Sequence, residues 1–98
     1  MDTKDAQELM RRLYLDRDRD RGIEGTLLRT FQELSELTEA IMSKSSHEEI
    51  TSEMADAFAW LCSVANLLDI DLSDALLSKY RNTCPRCLHS PCNCTDEP

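Results

Sequence analysis

His47-Glu-Glu-Ile-Thr-Ser-Glu-Met-Ala-Asp-Ala-Phe-Ala-Trp-Leu-Cys-Ser-Val-Ala-Asn-Leu-Leu68 is the stretch on which the fold turns. Ile50, Met54, Ala57, Phe58, Leu61, Ala65 and Leu68 recur at three- and four-residue intervals, the period of one helix face. Trp60, Val64 and Leu67 extend the apolar surface to the other faces, so from Ala57 onward this helix demands burial on nearly all sides. Ser46 in front of it, with Glu49 three residues on, has the pattern of a capping box.

Working outward, Thr26 to about Ser43 reads as a preceding helix with Leu27, Phe31, Leu34, Leu37 and Ile41 inward, joined through a short polar turn at Ser43-Lys-Ser-Ser46. A first helix is expected from Thr3, a plausible N-cap, to about Asp16, carrying Ala6, Leu9, Met10, Leu13 and Tyr14 on one face. The alternating run Asp16-Arg-Asp-Arg-Asp-Arg21 then meets Gly22 and Gly25, which predicts a mobile connection over Asp18–Gly25. Asp71 caps a short last helix reaching about Tyr80. The expected class is all-α: an antiparallel four-helix protomer over residues 1–82, followed by a short Cys-rich tail over 83–98. A protomer this small cannot enclose its own central helix, so assembly into an oligomeric helical bundle follows, as a homodimer or a dimer of dimers.

The chain of 98 residues carries 19 acids against 11 bases, a formal charge of −8. Residues 26–80 hold ten of the acids and only Arg29, Lys44 and Lys79. That balance disfavours nucleic-acid polymers, which need a basic face. With 5% aromatic residues and two glycines, a strand-rich sandwich is excluded on composition. No apolar run approaches the roughly 18–20 residues of a membrane span, and Met-Asp-Thr-Lys-Asp at the start has no apolar leader. The expectation is a cytoplasmic protein without a membrane partner.

The acidity has a pattern. Glu33-Leu-Ser-Glu36 and Glu53-Met-Ala-Asp56 are i, i+3 pairs, each on one face of its own helix. Counted from a turn near residue 45, Glu36 lies nine residues before and Glu53 eight after, while Glu33 lies twelve before and Asp56 eleven after. In an antiparallel hairpin rising ~1.5 Å per residue, the pairs therefore sit level. Rotated inward, four carboxylates would repel one another without a cation. Mg²⁺ suits such oxygen ligands and bridges phosphate oxygens, which points to a Mg²⁺-dependent phosphoanhydride hydrolase with a free carboxylate as general base. Rotated outward, the same residues would be ordinary solvent-facing acids.

Phe31-Gln-Glu-Leu-Ser-Glu-Leu-Thr-Glu-Ala-Ile41, Glu53-Met-Ala-Asp-Ala-Phe-Ala-Trp-Leu61, Ala65-Asn-Leu-Leu-Asp-Ile-Asp-Leu72 and Ala75-Leu-Leu-Ser-Lys-Tyr80 resemble the MazG-like all-α nucleotide pyrophosphohydrolases over about residues 8–82. The resemblance implies cleavage of nucleoside triphosphates to monophosphate and pyrophosphate with Mg²⁺, and makes Glu33, Glu36, Glu53 and Asp56 the metal-binding acids. Gln32 stands where many relatives carry a further acid, so one-metal binding is better supported than two-metal catalysis. Ser35 replaces a common glycine and is also small. The competing reading is a non-catalytic, zinc-containing helical interaction or regulatory protein built on the same bundle.

Trp60, one turn beyond Asp56, is a candidate wall of the nucleotide pocket or else core packing. Lys79, Arg81 and Asn82 are candidates for the substrate phosphates, with solvated helix-end charge as the plainer role. Arg17, Arg19 and Arg21 either close over the triphosphate or pair with their Asp neighbours. In the tail, Cys84-Pro-Arg-Cys87 and Cys92-Asn-Cys94 place four thiols within eleven residues, a spacing suited to structural Zn²⁺, with His89 as a substitute ligand and unbound, oxidisable cysteines as the alternative. Cys62 reads as packing.

Overall fold

A computed structural model describes residues 1–96; the last two residues of the expected tail lie outside it. Three helices are present among the described residues, and no strand: α1 (Thr3–Met42), α2 (His47–Leu67) and α3 (Leu72–Lys79). The all-α expectation holds, with three helices where four were expected, and the break expected between the first two survives as non-helical torsion angles at Gly22. The first two expected helices run on as a single element. Forty residues of straight helix would measure about 60 Å, yet the longest dimension of the chain is 42 Å. The difference is taken up at Gly22, whose φ of 86° and ψ of 166° bend α1.

The bend is ordered, which corrects the mobile connection expected at Asp18–Gly25. Gly22 adopts a positive φ that a Cβ would disfavour, and helical turns resume on both sides. The Thr26 hydroxyl donates to the Gly22 carbonyl at 2.8 Å, and Arg21 donates to both Asp18 Oδ1 (2.9 Å) and Thr26 Oγ1 (3.3 Å). Arg21 lies against Gly25 so closely that a Cβ there would sit 2.8 Å from its Cγ. The alternating charges thus form helix, with one acid, Asp18, turned inward and buried.

Both halves of α1 run antiparallel to α2. Gln7 meets Asn66, Arg21 and Arg29 meet Trp60, and Glu33 meets Glu53 and Asp56. A buried amide clamp fixes the far end. Gln7 Nε2 donates to Asn66 Oδ1 (3.0 Å) and to the Ile70 carbonyl (2.6 Å), Asn66 Nδ2 donates to the Gln7 carbonyl (3.1 Å), and the Leu72 N–H donates to Gln7 Oε1 (3.0 Å). Lys4 adds ion pairs to Asp71 (2.7 Å) and Asp74 (3.0 Å) at the start of α3.

Capping follows the side chains available. Ser46 Oγ accepts from the Glu49 N–H (3.1 Å) and Asp71 Oδ1 from the Asp74 N–H (2.8 Å), as the sequence predicts. At the N-terminus Asp2, not Thr3, is the cap: it and Asp5 exchange reciprocal bonds, and Thr3 becomes the first helical residue.

The face that α1 turns toward α2 is a second correction. The buried residues are Thr26, Thr30 and Glu33, an i, i+4, i+7 stripe. Most of the expected inward set therefore points away: Leu27, Leu34 and Ile41 are exposed and Phe31 is 71% accessible, while Leu37, on the α2-facing stripe, is half-buried. On α2, Ala57 and the run Cys62–Asn66 are buried, whereas Met54, Phe58, Leu61 and Leu68 are exposed. One chain thus encloses a narrow core of Ala57, Cys62, Val64 and Ala65 and leaves a wide apolar surface open.

Candidate metal centre and adjoining recess

The polar stripe of α1 is what creates the site. Because Thr26, Thr30 and Glu33 face α2, Glu33 is carried against the helix that presents Glu53 and Asp56 one turn apart. One carboxylate oxygen from each of Glu33, Glu53 and Asp56 lies within 4.8 Å of the other two. Three of the four expected acids therefore converge. Glu36, one turn farther along α1, is exposed outside this trio, yet close enough to hydrogen-bond Glu33, and it borders the neighbouring depression together with Glu53.

Burial and like charge crowd the three acids. Glu33 is 6% exposed, and burial, reinforced by the hydrogen bond and charge of Glu36 and the charge of Asp56, holds its carboxyl above the ordinary range. Arg29 opposes this by donating to Glu33 Oε1 at 3.3 Å. Glu53 Oε2 is buried with no hydrogen-bond partner. An orphaned carboxylate oxygen among two further acids is costly in isolation and is satisfied by a metal ion. The donor set is all oxygen, which fits Mg²⁺.

Asp56 also borders a recess of about 240 Å³ between the first half of α1 and α2, walled by Tyr14, Arg17, Asp18, Arg21 and Trp60. The guanidinium carbons of Arg21 and Arg29 lie 4.7 and 5.1 Å from the centre of the Trp60 ring. Trp60 is thus a wall of the recess held by two cations. Asp18 is buried beside it, with Oδ1 paired to Arg21 and Oδ2 without a partner. Arg17 and Arg21 both line the recess, and Arg21 also pairs with Asp18, the local pairing considered for the basic run. Asp18 and Arg29 were not foreseen. Nothing in an alternating acid–base run marks which acid turns inward, though Gly22 and Gly25 mark the bend that turns it.

The remaining candidates lie elsewhere. Lys79 Nζ sits 5.7 Å from its neighbour's ring, Tyr80, and Asn82 lines a depression beside Cys84 and His89. Neither borders the recess within the chain. Cys84, Cys87, Cys92 and Cys94 gather in a cluster of their own. Cys62 is fully buried in α2, where burial pushes its thiol upward, in keeping with a packing role. Among the described residues no helix is long and apolar enough to cross a membrane.

No curated protein matches this sequence. A family model, the MazG nucleotide pyrophosphohydrolase domain, matches residues 21–88, from the bend in α1 through both carboxylate pairs and α3 into the Cys-rich segment. With well over half of its length matched, the chain belongs to the MazG nucleotide pyrophosphohydrolase family.

Proposed function

We propose that the protein is a Mg²⁺-dependent pyrophosphohydrolase that cleaves nucleoside triphosphates to nucleoside monophosphate and pyrophosphate. The observation that carries this reading is the convergence of Glu33, Glu53 and Asp56, with an unpartnered buried oxygen on Glu53. These three carboxylates would hold the ion. When bound, Mg²⁺ supplies charge neutralisation for the phosphate chain and polarises the bond to be cleaved.

The chain's own residues complete the division of labour. Trp60, fixed by Arg21 and Arg29, offers a flat apolar wall for the nucleobase, and Arg17 extends positive charge to the same recess. Asp56 borders both recess and trio, so a nucleotide seated on Trp60 has its phosphates directed at the acids. Glu36, outside the trio and open to solvent, would take the proton of an attacking water. Assembly through a second copy is part of the reading. The outward stripe Leu27, Phe31 and Leu34, facing away from α2, supports it.

The test is product identity. With Mg²⁺ and a panel of nucleoside triphosphates, equal amounts of monophosphate and pyrophosphate should appear. Diphosphate with inorganic phosphate, or no turnover of any triphosphate, would refute the assignment.

A further inference from the structure

We propose that Cys84, Cys87, Cys92 and Cys94 form a closed tetrathiolate site for Zn²⁺, independent of the carboxylate centre. The sulfurs already outline the polyhedron. Cys84 Sγ lies 3.7 Å from Cys94 Sγ, Cys87 Sγ lies 4.0 Å from Cys92 Sγ, and all four fall within 4.8 Å of one another. A tetrahedron with Zn–S bonds of about 2.3 Å has S···S edges of about 3.8 Å. The four sulfurs need only small rotations to meet it.

The backbone around them is arranged for thiolates. The Asn93 N–H points at Cys87 Sγ and the Cys94 N–H at Cys92 Sγ, both at 3.4 Å. The Cys84 sulfur accepts from the N–H groups of Arg86 and Cys87. Such donors spread the negative charge of metal-bound sulfur and fix its direction. His89 belongs to this outer layer: its side chain hydrogen-bonds Cys87, and it stands outside the four-sulfur group. The loop also closes on itself, with the Leu88 N–H donating to the Cys84 carbonyl (2.8 Å) and the Cys84 N–H to the His89 carbonyl (2.9 Å).

Apolar burial does not hold this segment. It contains no helix or strand, and its one large apolar residue, Leu88, is 71% exposed. A bound metal is the physical means by which so short a loop acquires a fixed shape. Four soft sulfur donors reject Mg²⁺ and favour a tetrahedral ion, and four protein ligands leave no position for water, the pattern of structural zinc. Binding is balanced by protons alone: each S–H gives its proton to the buffer as an S–Zn bond forms, with no change of oxidation state.

The full chain, purified without a histidine tag under reducing conditions, should contain one zinc per chain by elemental analysis. Exchange for Co²⁺ should give the intense visible bands of tetrahedral thiolate cobalt. Cys87→Ser should weaken metal affinity by at least ~100-fold, with the helical circular dichroism kept, while Glu53→Gln should leave the zinc content unchanged. Four freely titrating thiols with no bound metal, iron in place of zinc, or a weak octahedral cobalt spectrum from the wild-type chain would each overturn the proposal.

Discussion

Replacing Glu53 with Gln should make the metal-free protein more stable and remove most of its stabilisation by Mg²⁺. Glu53 Oε2 is buried without a partner, and the facing oxygens of Glu33 and Asp56 lie within 4.8 Å. An unsatisfied buried polar atom costs about 1–3 kcal/mol. Gln removes one negative charge from the trio and places an N–H₂ donor in range of the two remaining acids. Glu53→Gln should therefore stabilise the magnesium-free chain by about 1–3 kcal/mol, a rise in melting temperature of about 4–24 °C at the roughly 4–8 °C per kcal/mol typical of this size. With Mg²⁺ at a hundred times its Kd, the wild type should gain about 2.7 kcal/mol by linkage, whereas the variant should gain little and release no pyrophosphate. The assay is thermal or urea unfolding, followed by circular dichroism, in magnesium-free and magnesium-containing buffer. Adding Mg²⁺ should raise the wild-type stability relative to the variant by about 2.7 kcal/mol. Destabilisation by Glu53→Gln in both buffers, or an undiminished response to Mg²⁺, would show that the trio is not a cation site.

Because the Glu33 carboxyl is raised above its ordinary value, its contribution to metal-free stability is full at pH below the unfolded carboxylate value and is lost as pH rises through the raised one. Urea midpoints should fall across that window in the wild type relative to Glu33→Gln; a difference that grows in the opposite sense would contradict the assignment. Arg21→Ala should cost about 2 kcal/mol by leaving both oxygens of buried Asp18 unpaired, measured by chemical denaturation. Asp18→Asn should soften the loss. Phe31→Glu should leave the helical content intact but lower the particle mass in light scattering, since Phe31 is mostly exposed in the single chain; an unchanged mass would remove the outward stripe of α1 from the assembly surface.

The height of the carboxylate pairs was legible from two i, i+3 spacings and a countable turn, but not the rotation that gathers Glu33, Glu53 and Asp56 and leaves Glu36 exposed. The caps at Ser46 and Asp71 were legible because one side chain and one N–H decide them. The direction of the α1 apolar stripe was not. Periodicity says that Leu27, Phe31 and Leu34 need cover, but not which surface supplies it, and α2 is met instead by Thr26, Thr30 and Glu33. Nor was the Gln7–Asn66 clamp, since an amide 59 residues from its partner leaves no periodic trace. The helix through Asp18–Gly25 was missed for a related reason. Glycine at a positive φ usually ends a helix, yet here the Arg21, Thr26 and Gly22 contacts bridge the break.

The bend at Gly22 assigns two tasks to two rods. The rod before it carries Tyr14, Arg17 and Asp18, which line the recess; the rod after it carries Glu33, one of the three converging acids, and Glu36 beside it. Their separation is set by a single pair of torsion angles rather than by a flexible loop. The bend angle thereby sets how far Tyr14, Arg17 and Asp18 stand from Glu33, while Trp60 and Asp56 keep their spacing on α2. A residue at position 22 that opened or closed the bend would change the width of the recess against α2 without replacing any side chain that lines it.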